Sequence, residues 1–182
     1  MLYTCAIDTP LGNMTAAAER EFLVGLWFEG QKYYPSRTAG WVSDPDRPIF
    51  GRLRDYLGRY FSGSTAAPDV PLDPQGSQFQ EAVWAILRTI PMGQVVTYGQ
   101  IAREMAQSRG LASMSAQAIG GAVGHNPISI LIPCHRVVGA HGALTGYAGG
   151  LERKAALLRI EKTSLETRQR GDSRLPCVIL PA

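Results

Sequence analysis

The stretch SQFQEAVWAILRTIPMGQVVTYGQIA, residues 77–102, carries two helix-start signals in quick succession. Ser77 and Gln80 have the spacing of a capping box, in which each side chain hydrogen-bonds the backbone N–H of the other residue. Apolar side chains then recur at helical spacing for about three turns. Thr97 and Gln100 repeat the capping-box pattern. The stretch therefore predicts two helices, separated by a short strand or turn.

A third helix is predicted downstream, over SMSAQAIGGAVG, residues 113–124. A loop around Gly110 precedes it, and two short helices joined by such a loop predict a helix-turn-helix with the third helix in the recognition position. Small residues dominate this helix, and Gly120 and Gly121 each cost roughly 1 kcal/mol relative to alanine. Either the helix packs closely against a neighbour, or a ligand backbone lies against it and is bound by shape and charge.

The sequence before this region predicts a separate unit. Residues 62–77 hold three prolines among small polar residues and show no apolar periodicity, so they predict an extended linker. Three short apolar stretches, residues 1–8, 13–19 and 23–29, predict strands joined by turns, and residues 49–61 predict an amphipathic helix. This half is a small α+β unit in which no cluster of residues requires chemistry.

The apolar run ILIPCHRVVG, residues 130–139, has the composition of a buried strand but contains Cys134 and His135. The thiolate is the reactive form of cysteine, and a base beside it makes it a nucleophile. Consecutive side chains of a strand point to opposite faces, so His135 serves the sulfur only if the backbone turns at Pro133 or if a water carries the proton. Such a histidine needs an acceptor.

Glu161 is the acid that we expect to orient His135. It lies in the last predicted helix, residues 151–162, one helical turn after Leu157, which implies that its side chain is partly buried.

The Cys-His pair has two other interpretations. Cys134 could be a small core residue, as most buried cysteines are, with His135 a satisfied polar residue. A metal site would draw on His125, Cys134, His135 and His141, but their spacing matches no common zinc pattern.

Composition and charge restrict the class of protein. The chain has 182 residues, is 45% hydrophobic and has three cysteines, which cannot all pair and which predict free thiols in a reducing compartment. The absence of a signal-like N-terminus and of an apolar run of about 20 residues predicts a cytoplasmic protein without a membrane anchor. Residues 1–75 carry a net charge of −2 and residues 94–170 carry +5, so a polyanionic partner is plausible on the half that contains Cys134.

Residues 126–161, NPISILIPCHRVVGAHGALTGYAGGLERKAALLRIE, closely resemble the active-site region of the O6-alkylguanine-DNA alkyltransferases. The specific motifs are PCHRVV, the NP before it and the TGYAGG after it, and the resemblance extends over most of residues 1–162. It is nearest to the stand-alone bacterial form. The resemblance implies an α/β protein of two small domains: a ribonuclease-H-like α+β domain with its linker, residues 1–73, and a winged helix-turn-helix-like domain carrying the acceptor cysteine, residues 74–163. Residues 164–182 form a tail that we expect to be mobile.

The resemblance also implies the activity. The protein is expected to bind double-stranded DNA through the minor groove as a monomer, to rotate the O6-alkylguanine out of the duplex and to transfer its alkyl group irreversibly to its own cysteine, without a cofactor or a metal. The alternatives are a non-catalytic lesion-binding protein of the same fold and a Cys-His hydrolase, which would turn over.

Each residue that matches the family's motif is assigned a role by the resemblance. Cys134 is the acceptor thiol, His135 the water-linked base, and Glu161 the acid that orients the histidine. Asn126 ties the helix-turn-helix to the acceptor segment. The residues implied to bind the substrate or the DNA are Tyr98, Gln117, Ser129, Arg136, Val137, Tyr147 and Ala148.

Among these binding residues, Tyr98 is expected beside the rotated nucleotide, and Tyr147 is expected to wall the guanine pocket. The backbone at Ala148 is expected to donate to the guanine oxygen, and the carbonyls of Cys134 and Val137 are expected to accept from the exocyclic amine.

The sequence departs from the family's pattern at several positions. Gln117 stands where relatives often have an arginine that fills the gap left by the rotated base, and Ser129 stands where some have a second pocket-lining proline. With only Cys5 and no histidine before His125, the N-terminal half lacks the zinc site of some relatives. The resemblance says nothing about the tail.

Overall fold

The N-terminal half is built on a four-stranded sheet. A computed structural model of the chain describes residues 1–36 and 38–162. The strands are β1 (Leu2–Ile7), β2 (Met14–Glu19), β3 (Phe22–Phe28) and β4 (Val42–Ser43), in the order β3-β2-β1-β4. The first three pair antiparallel, as two-residue alternation and tight turns favour, and β4, which the sequence did not predict, pairs parallel to β1.

Helix α1 (Pro48–Phe61) covers this sheet with an apolar face. Its first residue is a proline, which fits there because the first helical N–H has no partner inside the helix. Six of its side chains are buried, which confirms the predicted amphipathic helix; they are Ile49, Phe50, Leu53, Tyr56, Leu57 and Tyr60.

The C-terminal half is a helical unit around a short parallel pair of strands. It contains α2 (Gln78–Thr89), β5 (Val96–Thr97), α3 (Tyr98–Ser108), α4 (Ala116–Gly124), β6 (Val137–Val138) and α5 (Leu151–Ile160). Both predicted capping boxes are present, at the start of α2 and at the start of α3. Helices α3 and α4 pack together as the predicted helix-turn-helix, with Ser115 as the N-cap of α4.

The outer edge of β3 joins the two halves. The backbone N–H of Leu26 donates to Pro127 O at 2.8 Å, and that of Ser129 donates to Leu26 O at 2.9 Å. Leu23 pairs in the same way with the linker at Leu72. The segment that leads to Cys134 is therefore fixed against the N-terminal sheet, and one apolar core runs through both halves.

The mixed α/β architecture is confirmed, with strands and one helix first and the helix-turn-helix second. The domain boundaries stay a prediction, and the predicted mobile tail, residues 164–182, lies outside the described residues. Within the described part of the chain, no helix combines the length and the apolar character needed to cross a membrane.

Candidate active site

The segment that carries Cys134 is a series of tight turns, so the interpretation of residues 130–139 as a strand is wrong except at Val137–Val138. The backbone N–H of Ile132 donates to Ile128 O at 3.0 Å, and that of Cys134 donates to Ile132 O at 2.8 Å. Cys134–Arg136 forms one turn of 3-10 helix directly after Pro133. Ile130 adopts the left-handed region with φ 71°, which is unfavourable for a β-branched side chain. The backbone therefore turns at Pro133, but among the described residues His135 Nδ1 has no hydrogen-bond partner and does not bond the sulfur directly, so the water-mediated path stays open as well.

The side chain of Asn126 holds these turns together. Its Nδ2 atom donates to Ile132 O at 2.8 Å and lies 3.0 Å from the Cys134 sulfur, while its Oδ1 accepts from Ile128 N at 3.0 Å. Asn126 follows α4 by two residues, so the amide links the helix-turn-helix to the sulfur. In a regular sheet a neighbouring strand would satisfy the backbone N–H and C=O groups of this buried segment. Here the Asn126 amide satisfies some of them.

Glu161 is the centre of a buried hydrogen-bond cluster. Its Oε1 lies 2.7 Å from His135 Nε2, and it accepts from Tyr60 OH at 2.8 Å and from the Arg136 guanidinium at 2.9 Å. Its Oε2 accepts from Arg136 Nε at 2.9 Å. An ionised carboxylate only accepts, so His135 Nε2 carries the proton and Nδ1 carries the lone pair. Nδ1 is buried and has no hydrogen-bond partner among the described residues.

The charges in this cluster are set by burial and by Arg136. Burial disfavours the charged form of Glu161, but the hydrogen bonds and charges of His135 and Arg136 outweigh it and hold the pKa of Glu161 well below its ordinary value. Burial lowers the pKa of His135, against the opposing attraction of Glu161. Because Arg136 already balances the carboxylate, we take His135 as neutral at pH 7, with a base available at Nδ1.

The thiol itself is protonated at rest. Burial raises the pKa of Cys134 above its ordinary value, and the hydrogen bond from Asn126 and the charge of Lys154 only partly oppose this. Sulfur therefore has to lose its proton as it reacts. Lys154, in α5, is fully buried and donates from Nζ to Val137 O at 2.5 Å and Thr145 O at 2.7 Å. Burial lowers the pKa of Lys154 to about 8.

Cys134 lies at the wall of a cavity of about 200 Å³. Its lining residues come from both halves of the chain and are Lys32, Tyr33, Tyr98, Gly120, Val123, Gly124, Cys134, Gly146, Tyr147 and Ala148. An open groove adjoins the cavity along α4 and shares Tyr98, Gly120 and Gly146 with it. Gln117, near the start of α4, and Arg103 line this groove.

The small residues of α4 differ in their surroundings. Ala122 faces the core, where its carbonyl accepts from Trp84 Nε1 at 2.9 Å. A side-chain carbon at Gly121 would meet nothing within 4 Å, and one at Gly120 would only touch the Tyr98 ring. The two glycines are therefore not required by packing inside the described chain, and this favours the approach of a ligand backbone.

Tyr98 lies between the groove and the cavity. Its hydroxyl donates to Thr145 O at 3.3 Å and to Gly146 O at 3.2 Å, and burial raises the pKa of Tyr98 to about 12. It therefore stays a neutral phenol and connects the start of α3 to the loop that carries Tyr147.

The structure brings together Cys134, His135, Glu161 and Asn126, and it places Tyr98, Tyr147 and Ala148 on the cavity and Gln117 on the adjoining groove. Two others are buried, and for Arg136 this corrects the predicted DNA contact. Arg136 is buried against Glu161 and Ile90 O, so its donors are not directed at DNA. Ser129 is 2% exposed and is not among the lining residues; its hydroxyl is 3.5 Å from Gln31 Oε1.

Val137 is also fully buried, and its carbonyl already accepts from Lys154. A carbonyl has two lone pairs, so the predicted contact with an exocyclic amine stays a prediction.

Sequence reasoning missed the part of the site that comes from the N-terminal half. Tyr60 OH reaches Glu161 across 101 residues, and Lys32 and Tyr33 line the cavity. No local pattern signals these contacts, since Tyr60 has the spacing of an ordinary core residue of α1. Lys154 was counted only as a surface charge, although its position one turn before the buried Leu158 was a usable signal. Among residues 1–36 and 38–162, no three or more His, Cys, Asp or Glu side chains are grouped closely enough to hold a metal ion.

Comparison with known protein families gives two matches that divide the chain between them. Residues 1–74 match the model of the ribonuclease-like domain of 6-O-methylguanine DNA methyltransferase, and residues 78–163 match the model of its DNA binding domain.

Curated relatives and solved structures are similar over nearly the full length. The methylated-DNA--protein-cysteine methyltransferase of Mycobacterium tuberculosis is 45% identical over 163 residues, covering 90% of this chain and 94% of the relative. The protein of the same name from Haemophilus influenzae is 38% identical, covering 88% of this chain and 87% of the relative. The crystal structure of Mycobacterium tuberculosis OGT in complex with DNA is 43% identical, with a TM-score of 0.79 over 88% of this chain and 93% of that chain.

Proposed function

Because the chain belongs to the 6-O-methylguanine DNA methyltransferase family, we propose that it repairs DNA by moving the alkyl group of O6-alkylguanine onto its own Cys134, once per molecule. The general activity, alkyl transfer from DNA to a protein cysteine, follows from family membership. The acceptor, the proton path and the rotation of the base are our assignments. The observation that carries them is the buried sulfur of Cys134 at a cavity wall, next to the Asn126 amide and the His135–Glu161 pair.

The transfer step balances as a displacement at the alkyl carbon. Sulfur forms a bond to this carbon while the bond from the carbon to guanine O6 breaks, and the thiol loses its proton. His135 Nδ1 takes that proton, through one intervening water. The guanine leaving group takes up one proton, which balances the one that His135 accepted and then gives up, so the products are a thioether, neutral guanine and a neutral imidazole. A thioether has no easy route back to the thiol, so each molecule acts once.

The surrounding charges favour this step. The carboxylate of Glu161 stabilises His135 as it becomes an imidazolium, and the Lys154 ammonium stabilises negative charge on sulfur. Burial keeps the Glu161 carboxylate and the Lys154 ammonium in a low-dielectric environment, where charge–charge interactions are stronger than in water.

Rotation of the base follows from the position of the sulfur. Cys134 is 4% exposed and lies inside a cavity of about 200 Å³, which a base stacked in a duplex cannot enter. The nucleotide therefore has to leave the stack and enter through the groove along α4. Gln117 on that groove is suited to hydrogen-bond the unpaired cytosine, and the N–H at Ala148 is suited to donate to guanine O6.

A labelling experiment tests this function. The protein is mixed with a sub-stoichiometric duplex carrying an isotope-labelled methyl on guanine O6, and the label is located by peptide mass spectrometry. We expect one methyl per protein on the peptide containing Cys134, and with excess duplex no more product than protein. A bound duplex that keeps its label would make the protein a lesion-binding protein, and product in excess of protein would make it a hydrolase.

Tyr60 lies in the N-terminal half and donates to Glu161. Replacing it by phenylalanine should therefore impair the His135–Glu161 pair. Loss of the hydroxyl removes one of the donors to Glu161, which should lower the free energy of unfolding by about 1.5–3 kcal/mol and slow transfer roughly threefold to tenfold. The carboxylate then interacts more strongly with His135, so the low-pH limb of the rate profile should move to higher pH. Urea denaturation and single-turnover rates from pH 5 to 9 measure both effects.

Tyr56→Phe is the matched control, since Tyr56 lies on the same helix and its ring centroid is 6.1 Å from that of Tyr60. An unchanged rate profile in Tyr60→Phe, together with a stability loss equal to that of the control, would contradict a positioning role.

Replacing Gln117 by arginine should strengthen DNA binding. The added cation at the groove should neutralise one phosphate, steepening the slope of log K against log salt by about 0.9 and accelerating transfer. Fluorescence anisotropy at 50–200 mM salt measures the slope. Gln107→Arg, on α3 outside the groove lining, controls for charge alone. If Gln117→Arg changes neither affinity nor transfer rate, the account of Gln117 is wrong.

A further inference from the structure

One wall of the acceptor cavity comes from the N-terminal half. The cavity walls formed by Cys134, by helix α4 and by the loop at Tyr147 belong to the C-terminal half, but Lys32 and Tyr33 also line it. These two residues lie in the turn that follows β3, which we call the β3 turn, residues 30–34. The N-terminal half therefore contributes directly to the space in which the alkyl group is accommodated.

The β3 turn is held in place from three sides. The backbone N–H of Lys32 donates to Ala148 O at 2.9 Å, which joins the turn to the loop on the opposite wall. The side chain of Gln31, 7% exposed, accepts from Phe28 N at 2.9 Å. Tyr34 OH donates to Thr15 Oγ1 at 2.8 Å. The position of the turn relative to Cys134 is therefore fixed by hydrogen bonds.

Tyr33 is the residue of this turn with the unusual conformation. Its φ of 62° lies in the left-handed region, which is unfavourable for a residue with a bulky side chain. The conformation places its ring 3.9 Å from that of His125, centroid to centroid, in a stack, and Lys32 Nζ lies 4.8 Å from the Tyr33 centroid. A side-chain carbon at Gly124 would come within 3.5 Å of the ring. The ring thus closes the cavity against the end of α4.

The enclosed space is small. A cavity of about 200 Å³ is below the roughly 300–1,000 Å³ of pockets for drug-sized ligands, so it suits one purine base with a small substituent. A larger alkyl group has to displace a wall. Val123 of α4 and Cys134 are each 4% exposed and belong to packed elements, whereas Tyr33 is 45% exposed and its ring is held by stacking.

We propose that the Tyr33 ring, stacked on His125, is the specificity-determining wall that limits the size of the alkyl group this protein accepts. The inference rests on the proposed transfer to Cys134. It assigns a role in substrate selection to the N-terminal half. Small alkyl groups fit beneath the ring, and an aromatic substituent such as benzyl competes with it for the same space.

Single-turnover rates with two duplexes test this proposal. One duplex carries O6-methylguanine and the other O6-benzylguanine, and the quantity compared is the ratio of the benzyl rate to the methyl rate. In Tyr33→Ala the ratio should rise about tenfold, the effect expected of one or two carbons in a tight apolar pocket. Tyr33→Phe keeps the ring and should keep the wild-type ratio. His125→Ala removes the stacking partner and should raise the ratio less than Tyr33→Ala does.

Phe22→Ala is the matched control, because Phe22 is an aromatic residue of the same half with similar exposure, 44%, and does not line the cavity. An unchanged ratio in Tyr33→Ala, with methyl transfer still occurring, would overturn the proposal. So would an equal slowing of both substrates with weaker duplex binding, which would make the β3 turn a DNA contact. Failure of the proposed function is distinct, since the wild-type protein would then transfer neither group to Cys134.

Discussion

Replacing Cys134 by alanine is expected to abolish alkyl transfer while leaving DNA binding intact. No other thiol among the described residues lies near the cavity, since Cys5 is buried in β1. Loss of a nucleophile lowers enzymatic rates by as much as about 10⁶-fold, so the single-turnover rate should fall below detection. The groove along α4 does not include Cys134, so the affinity for a methylated duplex should change less than about threefold.

Cys134→Ser extends this test. Serine keeps the volume and a hydrogen-bond acceptor for Asn126, but its hydroxyl is far less acidic than a thiol, and His135 is a weak base for it. We expect the rate to stay at least about 10⁴-fold below wild type. The measurement is the fraction of labelled methyl left in the duplex after an overnight incubation with excess protein.

Cys5→Ala is the control for this pair of variants, because Cys5 is the other buried free cysteine that the structure describes. It should transfer the label at the wild-type rate. Transfer by Cys134→Ala, or loss of transfer in Cys5→Ala at unchanged stability, would move the acceptor to another residue and contradict our assignment.

Replacing Glu161 by glutamine should slow transfer less than replacing Cys134 does, but it should lower the free energy of unfolding more. The variant leaves the buried Arg136 cation without a carboxylate and adds two N–H donors where three donors already converge. Breaking a buried ion pair by removing one partner typically costs about 3–5 kcal/mol. Because the imidazolium of His135 also loses its stabilising charge, transfer should slow by about 10²-fold or more.

The stability difference should depend on pH in a defined direction. The pKa of Glu161 is lowered in the folded protein, so its contribution is fully present above the unfolded pKa of about 4.3 and is lost as pH falls toward the folded value. The gap between wild type and Glu161→Gln should thus be largest between about pH 5 and 7 and should shrink below about pH 4. Urea denaturation at several pH values measures this gap.

Glu152→Gln is the matched control, since Glu152 is an exposed carboxylate in the first turn of the same helix, α5. Neutralising it should cost no more than about 0.3–1 kcal/mol, from the loss of a favourable interaction with the helix dipole. If Glu161→Gln lowers the free energy of unfolding as little as Glu152→Gln does, the Glu161 carboxylate does not balance the charge of Arg136.

Several parts of the site could be predicted because they depend on residues close in sequence. The capping boxes at Ser77 and Thr97 define helix starts through bonds between residues three apart. The adjacent Cys134 and His135 indicated a nucleophile and a base, with either a turn at Pro133 or a water to connect them. Glu161 was predicted from one helical turn of spacing to Leu157.

Arg136 shows where such reasoning failed. The resemblance implied a substrate or DNA contact for Arg136, but the folded chain uses it inside the protein as the partner of Glu161. A buried carboxylate needs a cationic or hydrogen-bonding partner, and the sequence does not reveal which arginine supplies it.

The sequence by itself determined the helices, the reactive pair and the separation into two halves, because these depend on periodicity and on bonds that span a few residues. Only the tertiary structure decided that Tyr60 supports Glu161, that β3 fixes the segment leading to Cys134, and that Tyr33 closes the acceptor cavity. The physical reason is that these contacts join residues about 100 positions apart. Their geometry depends on how the two halves pack around one core, which no local spacing encodes.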